Sequence, residues 1–171
     1  MPLTFRPAEP GDIPLLRDLA TRIWRACYAD LLSPAQIEYM LGWMYAAEKI
    51  AQELADGVLW EMAMLGELPA GYLALSSQPS GIAELHKLYL LPGHHSLGHG
   101  QAMIAHACAL ASVRGAHALQ LRVNKRNVRA LRAYERAGFR IIDSIVADIG
   151  GGFAMDDYVL TRRLTPAPSP S

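Results

Sequence analysis

The chain has 171 residues, 51% of them apolar and 19% charged, and its 16 Lys plus Arg equal its 16 Asp plus Glu. That length suits one enclosed core, and the composition is globular rather than disordered or fibrous. A balanced charge leaves no field to draw the chain onto nucleic acid or an anionic membrane.

Met1–Glu9 lacks the basic and apolar stretches of a signal peptide. No apolar run approaches the ~20 residues that span a bilayer, so a cytoplasmic protein is expected. Cys27 and Cys108 stand far apart in apolar helical patterns, without metal-ligand spacing, and read as buried small hydrophobes.

In chain order, Leu3 to Phe5 alternate as a short strand, and Asp12 is a candidate N-cap for a helix from Ile13. Ile13, Leu16, Ala20, Ile23, Trp24 and Cys27 recur at three- and four-residue steps, which gives that helix one apolar face. Ser33, Pro34 and Gln36 start a second helix: Ser33 can accept from a free backbone N–H, Gln36 can reach back, and Pro34 needs no donor. Its stripe is Ile37, Met40, Leu41 and Met44. Ala47–Ala55 is a further short helix.

From Val58 the period becomes that of strands, over Val58–Leu65 and Gly71–Leu75 around a turn at Gly66–Pro69, then Ile82–Leu91. Gly98–Val113 is a helix apolar nearly all round, Leu119–Val123 a strand and Asn127–Ala137 a helix closed by Gly138. Phe139–Ala147 and Phe153–Leu164 form a final antiparallel pair. The expected fold is α/β (α+β): a mixed, mostly antiparallel sheet of about seven strands with helices on both faces, in one domain over residues 1–164. Residues 165–171 (T-P-A-P-S-P-S) read as a disordered tail.

Between the long strand and its helix stands Pro92-Gly93-His94-His95-Ser96-Leu97-Gly98-His99-Gly100-Gln101. A strand that turns through glycines into a helix leaves several backbone N–H groups unpaired at the positive end of the helix dipole, a place suited to phosphate. A structural turn has the same composition. No Gly-Lys-Ser/Thr follows, as a nucleotide hydrolase would need, and no second βαβ unit offers an acid to a nicotinamide dinucleotide.

Leu85–Gly100 (L-H-K-L-Y-L-L-P-G-H-H-S-L-G-H-G) resembles the signature of the GCN5-related N-acetyltransferase (GNAT) family, Gln/Arg-x-x-Gly-x-Gly/Ala after a strand. Gly98 and Gly100 match, His95 replaces Gln or Arg, and Ser96 stands where many members carry glycine. Asn127-x-x-Ala130-x-x-x-Tyr134-x-x-x-Gly138-Phe139 is similar to the family's second signature. Leu31–Tyr45 and Gly151–Tyr158 (G-G-F-A-M-D-D-Y) look like one bacterial branch.

The resemblance implies acetyl transfer from acetyl-CoA to a primary amine by direct attack in a ternary complex, without a metal. It implies a cofactor site at Leu90, Leu91, His95, Ser96, Leu97, Gly98, His99, Gly100, Gln101, Asn127, Tyr134 and Arg136. The N–H of Leu90 would face the oxyanion. Tyr134 would act as general acid, or be a core aromatic; Asn127 suits an N-cap and a pantetheine contact; Arg136 would meet the 3'-phosphate, or be solvated. Glu84 lies eleven residues before His95 and shares a strand face with His86, which could tune it. It is either the catalytic base or a solvated strand-end residue.

By the same analogy the first helices border the acceptor site, with Tyr28 and Tyr45 as contacts and Asp156 and Asp157 as attractors of a cationic amine. A small-molecule amine is the expected partner, and a homodimer is an option the family allows. The alternatives are a protein N-terminal or lysine acetyltransferase and a non-catalytic acyl-CoA sensor on the same fold. His86, His94, His95 and His99 suggest a metal, but adjacent loop histidines without a completing carboxylate or cysteine do not make a tetrahedral set.

Overall fold

The computed structural model of the protein describes residues 1–95 and 97–165. The expected cofactor contact of Ser96 and the expected disorder beyond Thr165 fall outside the described residues. Twelve elements follow in order: β1 (Thr4–Pro7), α1 (Ile13–Cys27), α2 (Pro34–Met44), α3 (Ala47–Ala55), β2 (Leu59–Leu65), β3 (Leu68–Ser76), β4 (Ile82–Leu90), α4 (His99–Val113), β5 (Ala118–Asn124), α5 (Val128–Arg136), β6 (Arg140–Gly150) and β7 (Phe153–Arg163). The strands form one seven-stranded mixed sheet in the order β1-β2-β3-β4-β5-β7-β6, the expected fold class. Among the described residues no helix is long and apolar enough to cross a membrane.

The residues divide into two compact units, one of Met1–Ala74 with Lys87–Gly100, the other of Leu75–His86 with Gln101 onward. In the first, α1 buries Leu16, Leu19, Ala20, Ile23 and Trp24 completely or nearly so. Each such large aliphatic side chain contributes roughly 1.5–3 kcal/mol. The expected stripe on α2 is buried at Ile37, Met40 and Leu41, and Ser33 caps that helix by accepting from the Gln36 N–H at 3.1 Å. In the second unit, Met103, Ile104 and Ala107 of α4 and Leu119, Leu121 and Leu160 of the strands are buried.

Three local expectations are corrected. Asp12 makes no side-chain cap on α1. Its carboxylate accepts from both Arg6 nitrogens at 2.8 Å and from the Glu9 N–H at 2.9 Å. The Arg6 hydrogen bonds bring its pKa down to about 2. Strand β3 begins at Leu68, not Gly71, because Gly66 takes φ +61° and closes the hairpin in a tighter turn. Cys27 is only partly buried, whereas Cys108 is buried.

Candidate active site

Strand β4 ends at Leu90, and the Leu91 N–H donates to the Ala70 carbonyl at 2.8 Å. A Cβ on Gly71 would overlap the Tyr89 carbonyl oxygen, so β3 approaches the end of β4 as only glycine allows. His95 lies in the turn that follows. Its Nε2 is 2.9 Å from the Leu90 carbonyl oxygen, which it reaches as donor in the Nε2–H tautomer. The side chain that replaces Gln or Arg thus ties the loop back to the strand end.

The N–H groups of His94 and His95 are committed to the carbonyls of Leu91 and Pro92. Those of the first turn of α4, at His99, Gly100 and Gln101, have no acceptor within the helix and sit at the positive end of its dipole. Gly98 adopts φ +80°, which aims the chain into α4. Among the described residues a Cβ built on Gly98 or Gly100 meets nothing within 4 Å, which leaves the backbone at these two positions open to the approach of a bulky anion. Leu97 beside it is exposed. The Gln101 side chain donates to the Ala133 carbonyl at 2.9 Å and fixes the start of α4 against α5.

On α5, Asn127 fulfils its capping role: Oδ1 accepts from the Ala130 N–H at 3.2 Å. Tyr134 is buried, at 8% exposure, with its ring edge-on to Phe139 at 5.4 Å. Arg136 is exposed, and with Arg132 and Glu135 it lines a surface hollow. Arg132 is a second cation available to a phosphate there; its three- or four-residue spacing from Arg129 and Arg136 is the signal that could have found it.

Glu84 is half-buried, and burial pushes its carboxyl above the usual range while Arg122 pulls it back. The charge that opposes this rise is Arg122; His86 Nε2 lies 2.7 Å from the Ser76 hydroxyl. The β4–β5 ladder pairs Ile82–Leu85 with Ala118–Leu121. Asp157 is 7% exposed, and its Oδ1 has no hydrogen-bond partner among the described residues. Burial raises this carboxyl as well. Asp156 is exposed and bound to Lys125 Nζ at 2.7 Å.

Tyr28 and Tyr45 belong to an aromatic cluster with Trp24, Trp60, Tyr72 and Tyr89. Tyr28 stacks on Trp24 at 4.3 Å, and its hydroxyl is 3.3 Å from that of Tyr89. Tyr45 is 1% exposed; its hydroxyl oxygen accepts from Trp24 Nε1 at 3.0 Å and from the Tyr72 hydroxyl at 2.8 Å. Burial pushes the pKa of Tyr45 and Tyr72 upward. Tyr45 lies in the interior, its hydroxyl held on two sides. Lys87 is also buried, its ammonium 4.9 Å from the Trp60 ring centre and 5.5 Å from that of Tyr45, and burial lowers its pKa.

Among the described residues no group of three or more His, Cys, Asp or Glu is placed to hold a metal ion.

Residues 15–139 match the Acetyltransferase (GNAT) family. The chain belongs to that family. An uncharacterised N-acetyltransferase of Mycobacterium tuberculosis is 38% identical over 94 residues, and the match spans 55% of this GNAT chain and 60% of that relative. A spermidine N(1)-acetyltransferase of Thermoplasma acidophilum is 24% identical over 86% of this chain and 94% of its own. The crystal structure of the PaiA N-acetyltransferase of Thermoplasma acidophilum, in complex with coenzyme A, aligns with a TM-score of 0.82 at 23% identity, over 95% of this chain and 99% of that one. At that identity the likeness is one of fold.

Arg122 lies outside both matched stretches of this GNAT chain, and Lys87 and Tyr89 lie within Leu85–Gly100 but not at its Gly98 and Gly100 matches. Arg122 becomes conspicuous only once strand register sets it among carboxylates. Tyr89 offers an alternation signal, since Lys87 and Tyr89 turn the same way toward the aromatic cluster.

Proposed function

We propose that the chain is an acetyl-CoA dependent N-acetyltransferase that acetylates a small-molecule primary amine in a ternary complex, as a cytoplasmic enzyme needing no metal. The observation that carries this reading is the N-terminus of α4, whose first N–H groups have no acceptor within the helix and where a Cβ on Gly98 or Gly100 meets nothing within 4 Å among the described residues. The residues present fit a diphosphate there, with Arg132 and Arg136 available to a further phosphate. When bound, the co-substrate supplies an activated thioester.

The chain's own groups do the rest. The Leu90 N–H donates to the oxygen that gains charge as the amine attacks. Glu84 accepts a proton from the incoming ammonium, directly or through water, and Tyr134 donates one to the departing sulfur. Asp157 and Glu84 favour a cationic acceptor, and the spermidine enzyme among the relatives is consistent with a small amine. Tyr28 remains a candidate wall of the acceptor site. Tyr45, held from both sides in the interior, is left out of it.

Gly100→Val tests the cradle more cleanly than Gly98→Val. Gly100 has room for a side chain and no left-handed φ, whereas valine at 98 would be strained whatever it met. Gly100→Val should fold as the wild type and bind acetyl-CoA about tenfold more weakly or worse, measured by calorimetry. Wild-type affinity in that folded variant removes the loop from the cofactor site.

The activity is tested by incubating the protein with acetyl-CoA and polyamines, amino acids, aminoglycosides or peptides and measuring free thiol. Turnover on small amines is the expected result. Turnover on peptides alone would make the chain a protein acetyltransferase, and acetyl-CoA binding without turnover on any amine would make it a sensor.

A further inference from the structure

Strands β4, β5 and β7 carry charged side chains on a common sheet face within one unit. Glu84 stands opposite Gln120 in the parallel ladder. Across the antiparallel ladder, Thr161 stands opposite Gln120, Val159 opposite Arg122 and Asp157 opposite Asn124. Paired residues point to the same side, and every second residue along a strand returns to it. Glu84, Arg122 and Asp157 therefore lie on one diagonal, with the cation in the middle. Diagonal neighbours are ~7–8 Å apart, within reach of a side chain as long as arginine.

Asp157 is buried and Glu84 half-buried, and Asp157 Oδ1 has no donor among the described residues to stabilise its charge. A carboxylate so placed must find a cation or take up a proton. At Glu84 the cation is Arg122. At Asp157 it is Arg122 first, with Asp156 opposing and Lys125, already engaged by Asp156, assisting less. On the same face of β4 stands His86, whose Nε2 lies 2.7 Å from the Ser76 hydroxyl, while Lys87 and Tyr89 belong to the opposite face. On β6, Asp143 opposite Val159 and Arg140 opposite Thr161 are exposed and lie beyond β7.

We propose that Arg122 is a positioning residue of the acceptor site, which keeps Glu84 and Asp157 ionised so that a cationic amine meets two carboxylates around one guanidinium. The proposal rests on the reading of Glu84 and Asp157 as groups that face the acceptor. Its consequence runs against simple charge counting. Deleting Arg122 would deepen the negative potential if the acids stayed charged, and would flatten it at mildly acidic pH if they took up protons.

The test is a carbon-13 carboxyl titration of the full chain as wild type, Arg122→Gln and Arg122→Lys, with Glu84→Gln and Asp157→Asn supplying the assignments. Both midpoints should rise by about one pH unit in Arg122→Gln and return to within a few tenths of wild type in Arg122→Lys. The KM for the amine at pH 6 should rise several-fold in Arg122→Gln, with acetyl-CoA affinity unchanged. Arg122→Met, which keeps the aliphatic stem, replaces the Gln variant if that one does not fold. Wild-type midpoints in the variant that lacks the guanidinium overturn the proposal, whatever the rates show. Wild-type rates and KM in both Glu84→Gln and Asp157→Asn would instead remove the acceptor-site reading, and the positioning role with it, even where the midpoints had moved.

Discussion

Tyr134→Phe should lower kcat about 10²-fold and leave acetyl-CoA affinity near wild type, because it removes one hydroxyl and keeps the ring. The ring is buried edge-on against Phe139 at 5.4 Å, and a phenylalanine repeats that contact. A thiol with a reference pKa of ~8.5 leaves readily in water, and a phenol at ~10 is a weaker acid than the thiol it would protonate. Proton donation therefore helps most where burial disfavours a bare thiolate, and the effect belongs at the low end for a lost general acid. Single-turnover thiol release gives the rate, and a melting curve checks that packing is intact. Equal kcat in the variant would leave Tyr134 as a packing residue.

Features set by local chemistry were legible in the sequence. The Ser33 cap, the Ile37, Met40 and Leu41 part of the α2 stripe and the Asn127 cap depend on nearby residues, and each is found where the pattern put it, while Met44 at the end of that stripe is only partly buried. Asp12 failed as a cap because Arg6, six residues earlier, offers two charge-assisted bonds that outcompete a single backbone N–H. Pro69 read as part of a turn, yet it is the second residue of β3, beside the hairpin turn at the strand's start.

The site was legible only as far as its motifs are contiguous. The Gly98–Gly100 turn and the Asn127–Tyr134 helix could be read directly. The relation of Glu84 to Arg122 and Asp157 could not, because three strands distant in sequence bring them together and a one-residue slip in register would send each to the other face. Tyr45 shows the reverse difficulty. Its place beside an apolar stripe suited either a pocket wall or the core, and only the partners of its hydroxyl, Trp24 and Tyr72, decide for the core.

Glu84→Gln should lower kcat/KM by about 10²-fold or more at neutral pH, with acetyl-CoA affinity retained. An alkylamine with a reference pKa of ~10 arrives protonated, so some group must take its proton before or during attack. Glu84 is suited by its environment: burial raises its pKa above the ordinary carboxylate range, which makes it a stronger base, and Arg122 opposes that rise. The sign follows from that direction. The ionised form accepts the proton, so wild-type kcat/KM should fall as pH drops through the raised carboxyl pKa, and Glu84→Gln should lack that acidic limb. Glutamine removes a charge that burial disfavours, so the variant should melt no lower than wild type at neutral pH, and loss of activity cannot be assigned to unfolding. A wild-type pH–rate profile in Glu84→Gln would pass the role to a water chain or to His86, whose Nε2 lies 2.7 Å from the Ser76 hydroxyl.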